Sequence, residues 1–223
     1  MKRILFLAAI ILVAFNTSVK AQDKIKEGKI KFEMTYPDSM ASEFASFMPK
    51  ETMVYFKNGN TRTEMKMGGG SMTMMVFKTG DHYTLMDMMG QKKAIKTTKA
   101  ESNKLKDSLH VEKPVITMTD ETKTIAFYKC RKALITVMIQ GEKQTFEVWV
   151  TKDIDNIDMG DYSVAGVDGF AMESTIKEKG ITIHMLCTSI EQFAVPDSLF
   201  KIPADYPVTT IDEMMKGAKG GQH

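Results

Sequence analysis

The sequence predicts an α+β protein that is mostly β, with about ten antiparallel strands and one or two helices. Period-two alternation dominates. In "GKIKFEMTY", Ile30, Phe32, Met34 and Tyr36 share one face and Lys29, Lys31, Glu33 and Thr35 the other. The alternating pieces are short and bounded by turn residues, and "DSMASEFASFM" at 38–48 stands out by carrying apolar residues at near-helical spacing. Such strands cannot make a helix-covered parallel sheet. They close as a sandwich, a barrel or a strongly curved sheet whose concave face needs a cover, and the helix at 38–48 is the best candidate for it.

In chain order, the first strand leads into that helix, whose apolar face is Met40, Phe44, Phe47 and Met48. Asp38 or Ser39 supplies its cap and Pro49 ends it. A meander follows: "TMVYFK", an Asn58-Gly59 turn, then "TRTEMKM" with Thr63, Met65 and Met67 on one face. Gly68 to Ser71 turn the chain into "MTMMVFK", with Met72, Met74 and Val76 together. Strands at "HYTLMDM" and "KKAIKT" complete this half. The polar stretch 98–113 reads as a surface connector or short helix. Strands resume with "KTIAFYKCRKALITVMI", read as one strand, a turn at "QGEKQ" and "TFEVWVT". "DIDNIDMGDYSVAGVDG" reads as an irregular loop, and "FAMESTIK" with "ITIHMLCTSI" as a last hairpin. A proline-punctuated segment then ends in a capping box, Thr210 to Glu213, before a short helix and a disordered tail at 217–223.

The N-terminus reads as a signal peptide. Lys2 and Arg3 precede the apolar run 4–15, and Val19 and Ala21 supply the small residues of a cleavage site after Ala21. The run is short for a membrane span, and no cysteine stands near the cut to carry a lipid. The expectation is an exported, periplasmic protein with one domain over 22–216. Cleavage removes Lys2, Arg3 and Lys20 and no acid, leaving 27 bases against 28 acids, a net charge of −1. That balance excludes a nucleic-acid binder or a polybasic membrane-surface protein. Cys130 and Cys187 are an even pair in an oxidising compartment and so form a disulfide candidate, the alternative being two separately buried thiols.

Motifs for catalysis are missing, and the reading is of a protein that is not an enzyme and uses no cofactor. "GGGSM" is not a nucleophile elbow, because its glycines precede Ser71. His82, His110, His184 and His223 are scattered, without zinc spacing. Asp153, Asp155 and Asp158 lack the pattern of a calcium-binding hand and read as a solvated acidic loop.

The methionines are the distinctive feature. Eight of twenty fall between Met65 and Met89. Thioethers suit Cu(I), and Met65, Met67, Met72 and Met74 lie two apart on neighbouring strands, which makes them an alternative Cu(I) site. The same alternation also suits an ordinary core, or a pliable apolar cavity, because methionine repacks easily.

The segments "KNGNTRTEM", "MKMGGGSMTMM", "KTIAFYKCRKA", "VWVTKDI", "GFAME" and "VPDSLFKIPADY", in this order, resemble a family of exported Bacteroidota proteins known only as a domain of unknown function (DUF4412-like). That family is in turn similar to the LolA-like lipoprotein-carrier fold. The resemblance spans about 25–216 and implies a half-barrel antiparallel sheet, a helical lid and a hydrophobic cavity; it brings no catalytic residue. Together these readings make Phe32, Met34, Met40, Phe44, Met65, Met67, Met72 and Met74 the expected lining for a lipid or other apolar small molecule. A ligand-free envelope module that binds a protein is a further alternative.

Overall fold

A computed structural model describes residues 24–37, 42–108, 113–139, 142–155, 157–160, 166–178 and 181–213. The expected signal peptide at 1–21, the tail at 217–223, Met40, and the histidines at 110 and 223 lie outside them, as does the side chain of Phe44. Among the described residues no helix is long and apolar enough to cross a membrane.

Twelve strands form one open, curved sheet. They are β1 (Glu27–Thr35), β2 (Glu51–Lys57), β3 (Asn60–Met67), β4 (Gly70–Val76), β5 (His82–Met88), β6 (Gln91–Thr97), β7 (Val115–Ile125), β8 (Tyr128–Ile139), β9 (Glu142–Thr151), β10 (Phe170–Glu178), β11 (Ile181–Glu191) and β12 (Val208–Thr210). Their spatial order is β12-β6-β5-β4-β3-β2-β1-β11-β10-β9-β8-β7. Two meanders, β2 to β6 and β7 to β11, thus meet at β1, which pairs with both β2 and β11. Helix α1 (Ser42–Phe47) lies between β1 and β2, and α2 (Lys99–Ser108) between β6 and β7.

Alternation decides the inner face. Ile30, Val54, Thr63 and Met74 stand opposite one another across four strands, as do Phe32, Thr52, Met65 and Met72. The main core combines Ile30, Phe32, Val54 and Phe56 with Met172, Met185 and Cys187 from the other half. Ile125, Tyr128 and Cys130 at the β7–β8 end pack onto the same cluster, so the sheet curls back toward its own middle.

The cover on this face is the β9–β10 connection, which the sequence reading left as irregular. Ile154, Ile157 and Met159 are buried in the core. The backbone of the connection is pinned at three points. Ile25 N–H donates to Asp153 O (3.1 Å), Asp155 N–H donates to Ile25 O (3.2 Å), and Thr61 Oγ1 donates to Asp158 O (2.6 Å). At Gly160, φ is +66° and a Cβ would lie 2.3 Å from Met74 Sδ, so any other residue there would be strained and would displace that sulfur. Helix α1 sits instead at the strand ends, where Gly68 N–H donates to Phe47 O (3.1 Å).

The opposite face is covered by the C-terminal segment. Phe200, Ile202 and Tyr206 pack on Met75, Leu85 and Ala94. Lys57 Nζ donates to Val195 O (2.8 Å) and Arg62 Nη1 to Leu199 O (3.0 Å), holding the crossing chain. It ends as β12, a parallel strand on the β6 edge, which the prolines of this segment had concealed.

Two further differences from the sequence reading are local. The stretch expected as one strand at 123–139 is a hairpin, turning at Ala126 and Phe127 with φ of +46° and +72°. The connector at 98–113 contains α2, capped reciprocally by Thr98 and Glu101 (2.7 Å and 3.2 Å). The Thr210–Glu213 box forms as read (2.9 Å and 3.2 Å).

Candidate functional site

The return from β1 to β2 through α1 creates the most site-like feature. Tyr36 Oη donates to Pro49 O (2.7 Å) and Met34 N–H to Lys50 O (2.8 Å), closing the base of the excursion. At the other side α1 rests on the β3–β4 turn. A Cβ on Gly68 would fall 2.9 Å from Phe47 Cα, so the close approach depends on glycine. Between these ties lie two recesses that share Lys50 and Glu51.

One recess, of about 580 Å³, is bordered by Met34, Tyr36, Pro37 and Ala45. The other, of about 600 Å³, is lined by Met48, Met53, Tyr55 and Met67, with Lys50, Glu51, Glu64 and Lys66 around it. Apolar walls with a rim of both charges suit a molecule that is apolar with a polar end. The rim is ordered by ion pairing: Lys31 Nζ is 2.6 Å from Glu51, and this hydrogen bond raises the lysine above its ordinary value. Arg62 Nε is likewise 2.6 Å from Glu64.

The expected lining divides into three groups. Phe32, Met34, Met65 and Met74 are packed core, none more than 6% exposed, and of these Met34 alone borders a recess. Thr52 Oγ1 donates to Met34 Sδ (3.1 Å), so even this thioether is engaged in the core. Met67 and Met72 are half-buried, and Met67 lines the second recess. Met40 and the side chain of Phe44 lie outside the described residues. Met53 and Tyr55 were missed. They alternate with the buried Thr52, Val54 and Phe56, so β2 presents a methionine and a tyrosine on the face where polar residues are usual. That was the available signal.

Both members of the disulfide candidate belong to the main core cluster. Cys130 and Cys187 are free and buried, on strands separated by β9 and β10. Each thiol turns to a carbonyl of its own strand, Cys130 to Tyr128 O (3.4 Å) and Cys187 to Ser189 O (3.8 Å). Burial pushes Cys130 up to about 11, and burial with the neighbouring Cys130 pushes Cys187 up to about 12. Neither is a thiolate at neutral pH, so neither is an activated nucleophile.

Among the described residues no group of three or more His, Cys, Asp or Glu is placed to hold a metal ion. His184 Nε2 lies 3.1 Å from Glu173 Oε1, a structural contact. Asp158 Oδ1 accepts from Gly160 N–H (2.8 Å) and Asp153 Oδ2 from Thr151 Oγ1 (3.4 Å). These acids serve the loop that covers the core.

An open, curved antiparallel sheet with few helices and an apolar recess beneath the first of them is the class of protein that this geometry defines. The chain belongs to the family described as a domain of unknown function (DUF4412), whose profile matches residues 26–163 and 158–206. Among solved structures it is similar to LprF from Mycobacterium bovis, at 11% identity and a TM-score of 0.34, over 81% of this chain and 90% of that one. No curated protein matches it.

Proposed function

We propose that this is an exported, non-enzymatic binding protein that holds an apolar or amphiphilic small molecule in the groove beneath α1. The observation that carries the reading is the pair of recesses meeting at Lys50 and Glu51. Each is of the volume that small-molecule sites occupy, and the larger has methionine and tyrosine walls under a charged rim. Methionine walls adapt to several apolar shapes, which fits a lipid-like ligand of variable chain. The export reading rests on the signal-like N-terminus.

The test is native mass spectrometry of the protein purified after export to a bacterial periplasm, beside a Met53→Trp variant that fills the groove. The expected result is an added mass of several hundred daltons that extracts into organic solvent, lost in the variant while its melting temperature holds. A bare wild-type mass, or an adduct that survives Met53→Trp, would overturn the reading.

A further inference from the structure

The strand register assembles a set of methionines of which the groove uses Met67 but not Met72, Met86 or Met88. Met65, Met72 and Met86 stand directly opposite one another across β3, β4 and β5. One step along the same face, Met67, Gly70 and Met88 form the next row. Opposite side chains on one face have Cβ atoms about 5 Å apart and diagonal ones about 7–8 Å, within the reach of a methionine. Met72 therefore has Met86 beside it and Met67 and Met88 on its two diagonals.

Gly70 is the gap in the second row. A Cβ there would meet the Asp87 carbonyl oxygen at 2.0 Å and Met88 Sδ at 2.9 Å, so the Met88 sulfur lies close beside the glycine. The two hairpin turns that carry these rows are tied together, since Met89 N–H donates to Gly69 O (3.0 Å). The register is thus held without any metal.

Exposure separates this set from the core. Met65 and Met74 are buried, Met74 beneath Gly160, and serve as apolar packing. Met67, Met72 and Met86 are half-buried and Met88 is exposed, so these residues lie at the solvent boundary. A hard or borderline cation would need several oxygen or nitrogen donors in place of these thioethers, and what stands beside Met88 is the single amide of Gln91. Neutral thioethers select a soft monovalent ion.

We propose that Met67, Met72, Met86 and Met88 form a thioether site for Cu(I). The set differs from the one spacing suggested, because cross-strand pairing replaces Met65 and Met74 with Met86 and Met88. Thioethers carry no proton to lose, so binding is independent of pH between about 5 and 8, unlike capture by thiols. Lys93 stands opposite Met86 at the end of the first row, and its exposed chain can carry the ammonium away into solvent.

The experiment uses the exported protein labelled with ¹³C at the methionine methyls and titrated with Ag(I) as a redox-silent probe. The methyl signals of Met67, Met72, Met86 and Met88 should move together up to one equivalent, while those of Met34 and Met74 stay. A Met72→Leu/Met88→Leu double variant should bind Ag(I), and Cu(I) in competition with a chromogenic chelator, about tenfold or more weakly; Met74→Leu should not differ from wild type. Shifts confined to Met172 and Met185, which pack with the buried cysteines, would assign the ion to the thiols and overturn the site. Unchanged affinity in the double variant, or no binding, would do the same. Should that variant fail to fold, the wild-type shift map decides alone.

Discussion

At the scale of single residues, four strands are linked through one half-buried carboxylate. Glu173 pairs with Lys123, accepts from His184, and lies beside Trp149, over whose ring Lys123 sits at 4.2 Å. Burial pushes the Glu173 carboxyl up, but the bonds from Lys123 and His184 outweigh it and hold the acid below its ordinary 4.5. A carboxyl depressed on folding stabilises above its unfolded value and loses that contribution as pH falls through the folded one. Glu173→Gln should therefore cost about 1–3 kcal/mol at neutral pH and flatten the loss of stability below about pH 4.5. Urea unfolding across pH checks this; coincident acid limbs for the two proteins would show that the pair is not linked to folding. None of these partners was visible in the sequence. Lys123, Trp149, Glu173 and His184 come from four strands, and only register brings them together.

At the scale of elements, turns were legible where glycine or asparagine announced them. Asn58-Gly59 adopts φ of +52° and +79°, as the dipeptide foretells. The β7–β8 turn has the same conformation built from Ala126 and Phe127, residues that resist positive φ, and Phe127 is fully exposed. Its side chain gains nothing by burial, so the surrounding strand pairing enforces the strained turn. Replacing Ala126-Phe127 by Asn-Gly should stabilise the protein by about 1–2 kcal/mol. An unchanged or lower denaturation midpoint would place the strain elsewhere. The parallel strand β12 escaped for a related reason, because its pairing with β6 is long-range and Pro207 argues locally against a strand.

At the scale of the whole molecule, the issue is what covers the curved sheet. The β9–β10 connection does so with Ile154, Ile157 and Met159, while Asp153, Asp155 and Asp158 turn outward. Its alternation of acids with apolar residues was readable, yet the acids drew attention to solvent. Ile154→Ala should cost about 2–5 kcal/mol by leaving a cavity, whereas Phe47→Ala in α1, 56% exposed, should cost less than about 1 kcal/mol. Equal losses would move the cover to the helix. By itself the sequence determined the β-rich class, most strand positions and the inner-face residues of β1, β3 and β4, because a period of two is a local property of an extended chain. It also carried the family likeness. Only the tertiary structure decided which segments close the two faces, that Met65 and Met74 are core while Met86 and Met88 join Met67 and Met72, and that Cys130 and Cys187, distant in sequence, share one buried cluster. Those outcomes depend on pairing between residues distant along the chain, and cross-strand register is not written in either strand alone.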